Sequence, residues 1–280
     1  MLIKEKYDYV AVFDFETTGL NPEGDLSKFT TTTYNAKQKR WGTKEYLAKQ
    51  KEKEKDKFIE VLDKSKVIEL GLSLYKIKDD HEFELIDDVD LLIKQDKPLD
   101  PQIVAVTRIT DDLLNENGVD EETLFKTLQY YLSLDRTLWC GYNIQFDFTF
   151  INQLFRDKTS EKDYFCKKDM LDCMAIYKDF YDFDFNKKIN NDGSTGYYGH
   201  RLDAAVKNLK IDVKNTHRAL DDVHATFEVF RRFDFALSDK IDFYINKFGY
   251  NKKFGVSFTE FPHIEYIKQE GGKEEIYHQI

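Results

Sequence analysis

The chain has 280 residues, of which 41% are hydrophobic and 15% aromatic, and this apolar content excludes a wholly disordered protein. The formal net charge of −10 excludes a protein that binds nucleic acid through bulk positive charge. Any such binding must be local and must use cations that cancel carboxylate charge. The first residues contain no long apolar segment, and the three cysteines lack metal-ligand spacing. We therefore expect a soluble, intracellular, cytoplasmic protein with free thiols.

Apolar runs in the first third of the chain predict three strands. Residues 9–13 form a short apolar run that ends at an acidic residue, which is typical of a buried strand. Residues 67–75 and 82–93 predict the second and third strands. Between the first and second predicted strands, residues 35–66 carry 11 basic and 6 acidic residues and few apolar ones. This segment is predicted to be an insertion, either a solvated helix or a basic arm over a functional site.

Helical spacing dominates the remainder of the chain. It predicts helices at 121–134, 147–155, 169–181, 202–209 and 218–236, the last capped by Asn215 or Thr216, with a fourth strand at 137–142. Strands first and helices between later strands indicate an α/β layer fold. We expect one domain over residues 1–237 and a C-terminal extension over 238–280.

Two carboxylates stand together at the end of the first predicted strand. Side chains of a strand alternate between its faces, so Asp14 and Glu16 share one face while Phe15 points to the other. Hard oxygen ligands on one rigid face suit Mg²⁺ or Mn²⁺. Alone, Asp-x-Glu is a weak sign of a metal site, because acidic residues are common at strand ends.

Two later segments add candidate side chains. Asp147 follows the fourth predicted strand at the start of a helix, where an N-cap that stabilises by ~1 kcal/mol is the alternative to metal binding. His217 and Asp222 stand at the start of the long helix at 218–236. A lone His at such a position is more often a surface or capping residue than a catalyst.

Three motifs carry these residues in a fixed order: DFETTGL at 14–20, GYNIQFD at 141–147 and HRALDDVHAT at 217–226. Together they resemble the DnaQ-like exonucleases, the DEDDh branch of the ribonuclease H-like superfamily. The resemblance covers about residues 8–233 apart from the insertion. In the third motif the Asp stands five residues after the His, which selects Asp222 rather than Asp221. Arg218 stands where the family's tyrosine branch carries Tyr, so the histidine branch fits better.

The resemblance implies a ribonuclease H-like α/β fold, with a five-stranded mixed sheet flanked by helices and one antiparallel strand. It implies two divalent cations, Mg²⁺ or Mn²⁺, held by Asp14, Glu16, Asp147 and Asp222. Four converging carboxylates repel one another, and two cations about 3.5–4 Å apart would relieve that repulsion. His217 would take a proton from the attacking water, because imidazole titrates near neutral pH.

Substrate contacts also follow from the resemblance. The backbone around Thr17 is expected to hold the terminal 3′-hydroxyl, and Leu20 and Phe146 are expected to pack against the last bases, with core packing as their alternative role. Tyr142 and Ile144 replace the commoner His and Ala of the second motif, and Thr107 replaces a His. The full set of expected contacts is Thr17, Thr18, Leu20, Thr107, Asn143 and Phe146.

The function implied is a metal-dependent 3′→5′ exonuclease that hydrolyses single-stranded DNA ends to nucleoside 5′-monophosphates, in replication proofreading or repair. One rival is a 3′→5′ exoribonuclease like oligoribonuclease or ribonuclease T, although such proteins usually carry Met where this chain has Thr17. Another rival is a catalytically silent nucleic-acid-binding module, which the complete acidic set and His217 disfavour. A DNA polymerase is an expected partner through residues 238–280.

Asp172 is expected to orient neighbouring groups or to cap a helix, and His200, His224 and His263 are expected to have no special role.

Overall fold

The structure, a computed structural model, describes residues 3–20, 65–79, 81–159, 168–180, 187–189, 195–197, 199–213, 217–237, 241–249 and 265–267. The chain divides into two compact units. The larger unit comprises Met1–Thr18 and Val67–Ile280, and the smaller comprises Gly19–Lys66. The insertion predicted at 35–66 falls within the smaller unit, and residues 35–64 lie outside the described part, so its role stays a prediction.

A five-stranded mixed sheet forms the centre of the larger unit. Its strands are β1 (Tyr9–Thr17), β2 (Val67–Asp79), β3 (Glu82–Leu92), β4 (Thr137–Gly141) and β5 (Met170–Asp172). They lie in the order β3-β2-β1-β4-β5. β2 pairs antiparallel with both β1 and β3, whereas β4 pairs parallel with β1 and β5. The predicted mixed sheet with one antiparallel strand is therefore confirmed.

Helices cover both faces of this sheet. They are α1 (Ile3–Lys6), α2 (Pro101–Thr107), α3 (Asp111–Asn117), α4 (Glu121–Leu132), α5 (Gln145–Lys158), α6 (Cys173–Phe180), α7 (Leu202–Asn208), α8 (Ala219–Leu237) and α9 (Ile241–Tyr244). Two-stranded pairs β6 (Lys187–Ile189) with β7 (Thr195–Tyr197) and β8 (Lys247–Gly249) with β9 (Glu265–Ile267) complete the elements. Within the described ranges, no helix is long and apolar enough to span a membrane.

The strand β1 divides the apolar core into two layers. Its even-numbered residues Val10 and Val12 pack in one cluster with buried side chains of α6, α7 and α8. Its odd-numbered residues Ala11, Phe13 and Phe15 pack in another cluster with α4 and α5. Period two therefore places the side chains of positions 14 and 16 on the face that α8 covers.

One predicted element was wrong, and two helices between β3 and α4 were not predicted. The helix predicted at 169–181 is the three-residue strand β5 followed by α6. Both faces of β5 are buried, so its residues lack the alternation that reveals a half-exposed strand. The helices α2 and α3, which were not predicted, have only seven residues each and begin at the side-chain caps Asp100 and Thr110.

Residues 241–246, which follow α8, also contact the core. Ile241 and Tyr244 are 4% and 2% exposed and pack in the cluster that contains Val10 and Val12. The backbone N–H of Asn246 donates to the carbonyl of Met170 at 2.8 Å, and the Asn246 Oδ1 accepts from the Met170 N–H at 2.9 Å. The domain boundary predicted at residue 237 therefore does not coincide with an edge of the core.

Candidate active site

Asp14 and Glu16 lie on β1, on the face that α8 covers. Both side chains are partly exposed, whereas the neighbouring Phe13 and Phe15 are buried. In the antiparallel pair with β2, Asp14 stands opposite Gly71 and Glu16 stands opposite Glu69. Val12, Asp14 and Glu16 therefore lie on the same face of β1. The alternation that buries Val12 also directs both carboxylates towards α8.

Asp147 reaches the same end of β1 from the opposite layer. It is the third residue of α5, whose N-cap is Ile144, so the alternative role of Asp147 as the N-cap was wrong. Its Oδ1 accepts a hydrogen bond from the Phe15 backbone N–H at 3.0 Å. The side chain is 1% exposed, and burial raises the pKa of Asp147 well above its usual range, although the bond from Phe15 opposes that shift.

Asp222 comes from the first turn of α8. Its carboxylate accepts a hydrogen bond from the His217 backbone N–H, and its own N–H donates to the Arg218 carbonyl at 3.0 Å. Its Oδ1 is buried and has no hydrogen-bond partner among the residues that the structure describes. A buried carboxylate oxygen with no donor is costly, so this atom is available for a cation.

The structure brings three of the four predicted ligands together. One oxygen atom from each of Asp14, Glu16 and Asp222 lies within 4.8 Å of the others. Asp147 lies close enough for its charge to raise the pKa of Asp14, after burial, which is the largest cause. Hard carboxylate oxygens at this spacing fit a divalent cation such as Mg²⁺ or Mn²⁺.

Burial and mutual repulsion hold protons on this cluster. Burial and then the charge of Asp222 raise the pKa of Glu16 to about 8. Burial and then the charge of Asp221 raise the pKa of Asp222 to about 7. Near neutral pH the cluster without a cation therefore retains protons, which a bound cation would displace.

His217 stands two residues before α8 in a left-handed backbone conformation, with φ 56°. Its side chain is exposed, unlike that of Asp222. The caps predicted at Asn215 and Thr216 lie outside the described residues. Because its backbone N–H is bonded to the Asp222 carboxylate, the position of His217 is tied to that ligand.

Sequence reasoning missed an ion-pair network beside the cluster. Glu69 of β2 is 0% exposed, and its Oε1 accepts from Arg218 Nε at 2.7 Å. Arg218 also pairs with Asp90 of β3 at 3.8 Å. Burial and then the Glu69 charge raise the pKa of Asp90 to about 6. The sequence VIELG suggested only a strand at Glu69, because its partners lie about 150 residues further along the chain.

The predicted substrate contacts occupy different environments. Thr17 is 9% exposed at the end of β1, and Thr18 is half-buried directly after it. Leu20 belongs to the smaller unit and is 45% exposed. Phe146 is half-buried and packs at 5.1 Å from the ring of Phe150, so its surface is shared between core and solvent.

Two further predicted contacts are engaged within the protein. The Thr107 side chain is 2% exposed, and its hydroxyl donates to the Ile103 carbonyl at 2.9 Å and accepts from the Ile109 N–H at 3.2 Å. Asn143 has φ 62°, and its Oδ1 accepts from the Gln145 Nε2 at 2.8 Å. These bonds explain both residues without a substrate, so their predicted contacts stay predictions.

Asp172 performs both roles that the sequence left open for it. It is 0% exposed at the end of β5, and its Oδ1 accepts from the N–H of Asn143 at 2.9 Å and of Met174 at 3.0 Å. It therefore caps the start of α6 and fixes the turn that leads from β4 into α5. Asp172 orients the neighbours of Asp147 through the backbone, and its charge helps to raise the pKa of Asp147.

The remaining histidines have ordinary surroundings. His224 pairs with Asp88 of β3 at 3.2 Å. Burial and then the charge of Lys178 lower the pKa of His200 to about 4, and the His200 carbonyl accepts from the Tyr142 hydroxyl at 2.8 Å. His263 lies outside the described residues.

A family model described as an exonuclease, RNase_T, matches residues 11–230, a range that contains every residue of the three motifs. Among curated proteins, the chain is similar to the DNA polymerase III PolC-type of Bacillus cereus, with 29% identity over 143 residues, 51% of this chain and 9% of that protein. It is similar to the same kind of polymerase of Thermotoga petrophila, with 25% identity over 222 residues, 79% of this chain and 12% of that protein. The chain thus spans about a tenth of the length of these relatives.

Solved structures of E. coli exonuclease I share the fold. A complex with a dT13 oligonucleotide has a TM-score of 0.58 and 17% identity, over 84% of this chain and 43% of that chain. A complex with a dA16 oligonucleotide has a TM-score of 0.57 and 18% identity, over the same shares. This similarity confirms the predicted ribonuclease H-like fold. Because the family model covers most of its length, the chain belongs to the RNase_T exonuclease family, the DnaQ-like family of 3′→5′ exonucleases that its motifs resemble.

Proposed function

We propose that this chain is a metal-dependent exonuclease that hydrolyses single-stranded DNA from the 3′ end to nucleoside 5′-monophosphates. The observation that carries the proposal is the group of oxygens from Asp14, Glu16 and Asp222 within 4.8 Å of one another, next to the buried Asp147. After burial, the charges of Asp222, Glu69 and Asp147 raise the pKa of Glu16, and the charge of Arg218 lowers it. A bound cation would add further compensating positive charge.

Two divalent cations, Mg²⁺ or Mn²⁺, are the proposed cofactors, with Asp14, Glu16, Asp147 and Asp222 as ligands. When bound, they supply stabilisation of charge on the scissile phosphate and a lower pKa for the attacking water. The chain contributes rigid placement, because β1 and the first turn of α8 hold the oxygens before substrate arrives.

His217 is the proposed proton acceptor. Its exposed ring can take a proton at a ring nitrogen from the water whose oxygen attacks the phosphorus. The bond from phosphorus to the 3′ oxygen then breaks, the 3′ oxygen gains a proton, and the nucleoside 5′-monophosphate leaves. The hydrogen bond from the His217 backbone to Asp222 keeps the acceptor beside the cluster.

Single-stranded DNA is the substrate that the comparisons favour. The exonuclease I structures contain dT13 and dA16 oligonucleotides, and the curated relatives are DNA polymerases. Thr17 in place of the Met of oligoribonuclease-like proteins supports the same choice. The proposed contacts to the terminal nucleotides are Thr17, Thr18, Leu20, Thr107, Asn143 and Phe146.

The proposed role is replication proofreading or repair, with a DNA polymerase as partner. The PolC-type relatives support this role, because they join a similar segment to a polymerase in one chain. The proposed docking segment is the extension at 238–280, of which Ile241 and Tyr244 pack in the core.

The direct test compares 5′-labelled DNA and RNA oligonucleotides of one sequence, digested side by side with Mg²⁺ or Mn²⁺. We expect a ladder that shortens from the 3′ end on DNA, release of 5′-monophosphates, and no digestion in EDTA. Asp222→Asn is the control for contaminating nucleases. Faster digestion of RNA than of DNA would replace the DNA proposal with an exoribonuclease, and no digestion of either by a metal-binding protein would support a silent binding module.

A further inference from the structure

Glu69 is a buried carboxylate that is not one of the predicted ligands. It lies on β2 directly opposite Glu16 in the strand register and is 0% exposed. A buried charge is retained in a fold only when it is paired and hydrogen-bonded. Its partners therefore indicate what it does.

Both carboxylate oxygens of Glu69 bind the segment that leads into α8. Oε2 accepts from the Ala219 backbone N–H at 2.8 Å, which is one of the N–H groups that a helix start leaves without an internal acceptor. Oε1 accepts from Arg218 Nε at 2.7 Å and from Arg218 Nη2. One strand residue thus supplies the cap of α8 and clamps the residue before it.

The same turn holds both functional residues of the third motif. The Asp222 N–H donates to the Arg218 carbonyl at 3.0 Å, and the Asp222 carboxylate accepts from the His217 backbone N–H. Residues 217–222 therefore form one hydrogen-bonded unit. Glu69 joins that unit to the sheet that carries Asp14 and Glu16.

We propose that Glu69 is a positioning residue, which sets the distance between Asp222 on α8 and the ligands on β1 through its bond to the Ala219 N–H. The proposal rests on the proposed function, because the distance matters only if these carboxylates share cations. Arg218 neutralises the Glu69 charge beside an already acidic cluster. We call the hydrogen bond from the Ala219 backbone N–H to Glu69 Oε2 the tether, because this bond, and not the ion pair with Arg218, holds the start of α8 on β2.

Three variants separate the tether from the charge. Glu69→Gln replaces one of the two acceptor oxygens with an NH₂ donor, so that either the Ala219 N–H or the Arg218 guanidinium faces a donor instead of an acceptor. Glu69→Asp keeps the negative charge, but its side chain is one methylene group shorter, so the carboxylate lies further from Ala219 and Arg218. In the double variant Glu69→Gln/Arg218→Met, the Gln oxygen can accept from Ala219 while its NH₂ donates to Asp90, whose side chain hydrogen-bonds to Glu69 in the native protein.

The readouts are the Mn²⁺ dissociation constant by titration calorimetry on the folded protein, together with kcat and KM on a DNA oligonucleotide. We expect Glu69→Gln and Glu69→Asp to weaken Mn²⁺ binding and lower kcat by roughly 10–100-fold each, the usual effect of losing a group that orients metal ligands, with KM unchanged. The double variant should recover most of both losses. If Glu69→Gln does not fold, Glu69→Asp and the double variant still give the comparison.

Asp169→Asn is the matched control, because Asp169 is another hydrogen-bonded carboxylate of the same domain. Its Oδ2 accepts from the Tyr7 hydroxyl at 2.8 Å. It should lower the melting temperature and leave Mn²⁺ binding and kcat unchanged. Wild-type Mn²⁺ binding and kcat in Glu69→Gln and Glu69→Asp, or a double variant as impaired as Glu69→Gln, would overturn the positioning role alone. A wild-type protein that binds no Mn²⁺ would overturn the proposed function and this role together.

Discussion

At the residue scale, Asp222 and His217 are joined by one hydrogen bond and have opposite environments. Asp222 is 9% exposed, and its buried Oδ1 has no hydrogen-bond partner among the described residues, whereas the His217 side chain is exposed. A ligand must be fixed and dehydrated, while a proton acceptor must reach water. This contrast predicts that replacing Asp222 and replacing His217 have different effects on metal binding and on turnover.

We predict that Asp222→Asn weakens metal binding and abolishes turnover together, because it removes a charged ligand. His217→Ala should retain metal binding and lose roughly 10²–10⁴-fold in rate, the usual contribution of a general base. Its residual rate should rise with pH, since hydroxide can replace the missing base. The measurements are single-turnover rates and Mn²⁺ titrations on both variants.

His217→Asn controls for the backbone, because Asn tolerates the left-handed conformation at φ 56° and cannot act as the base. It should match His217→Ala in rate. Near-wild-type turnover in both His217 variants would mean that the residue only shapes the helix start and that another group takes the proton.

The sequence predicted individual ligands where a local rule applies. Period two along β1 places Asp14 and Glu16 on one face, and the structure brings both to Asp222. The role of Glu69 could not be predicted in this way, because its function depends on two groups that only the folded chain brings to β2. Asp147 lies between these cases, since its position near a helix start was evident but its bond to Phe15 was not.

At the scale of elements, the close approach of α8 to β2 determines where Asp222 lies. A Cβ atom at Gly71 would lie 2.4 Å from the Ala219 carbonyl carbon and 2.5 Å from the Leu220 nitrogen, both of them backbone atoms that cannot move aside singly. Gly71 also stands opposite Asp14 in the strand register. The absence of a side chain at this position allows the start of α8 to approach β2 at the residue that is paired with Asp14.

We predict that Gly71→Ala pushes the first turn of α8 away from the sheet. The expected cost is ~1–3 kcal/mol of unfolding free energy, the range for overpacking a dense site, together with weaker Mn²⁺ binding because Asp222 moves with the turn. Chemical denaturation and Mn²⁺ titration measure the two effects.

Gly141→Ala is the comparison, because the two atoms nearest to a Cβ atom there would be side-chain atoms of Ile144, Cγ1 at 3.0 Å and Cβ at 3.1 Å. A side chain can shift where a helix backbone cannot, so this variant should lose less stability. Equal stability and equal metal binding in Gly71→Ala and wild type would show that the turn is not held by this contact.

Element prediction succeeded where the hydrophobic pattern was long and failed where elements were short. The 19-residue helix α8 and the 13-residue strand β2 were both predicted from their apolar residues. The three residues of β5 give no period, and the seven-residue helices α2 and α3 depend on their caps rather than on an apolar face. Short elements are stabilised by contacts distant in sequence, which a local pattern does not contain.

At the scale of the whole molecule, charge is unevenly distributed along the chain. The predicted insertion at 35–66 carries more basic than acidic residues, so the remainder is more acidic than the net charge of −10 suggests. Several of those acidic groups converge on the end of β1, where Glu69 and Asp90 join the predicted ligands. Folding therefore concentrates negative charge at one place, and the stability of the fold must depend on what neutralises it.

Without a cation, protons are the available neutralising charge, and this sets the sign of the pH dependence. The folded protein raises the pKa of Glu16 to about 8 and of Asp222 to about 7, both above their usual values near 4. The folded state thus binds these protons more tightly than the unfolded chain does. Their contribution to stability is complete at acidic pH and is lost as the pH rises through 7 and 8.

We predict that in EDTA the melting temperature falls between pH 6.5 and pH 8.5, a window about the values for Asp222 and Glu16. The His200 imidazole has the opposite effect on stability, because its pKa is lowered to about 4 in the folded protein. Its contribution to stability grows as the pH rises from 4, and this growth is complete near the usual histidine pKa of ~6.5. Millimolar Mg²⁺ should raise the melting temperature, and by more at pH 8.5 than at pH 6.5, because a cation that displaces protons binds more tightly as they leave.

Differential scanning fluorimetry across this window, with EDTA and with Mg²⁺, measures both effects. Glu16→Gln is the matched variant, since its amide cannot titrate and nearly preserves the shape of the side chain. It should flatten the fall in EDTA and reduce the gain with Mg²⁺. A melting temperature in EDTA that is constant or rises from pH 6.5 to pH 8.5 would contradict the convergence of these carboxylates in solution, because isolated carboxyl groups are fully ionised throughout that range.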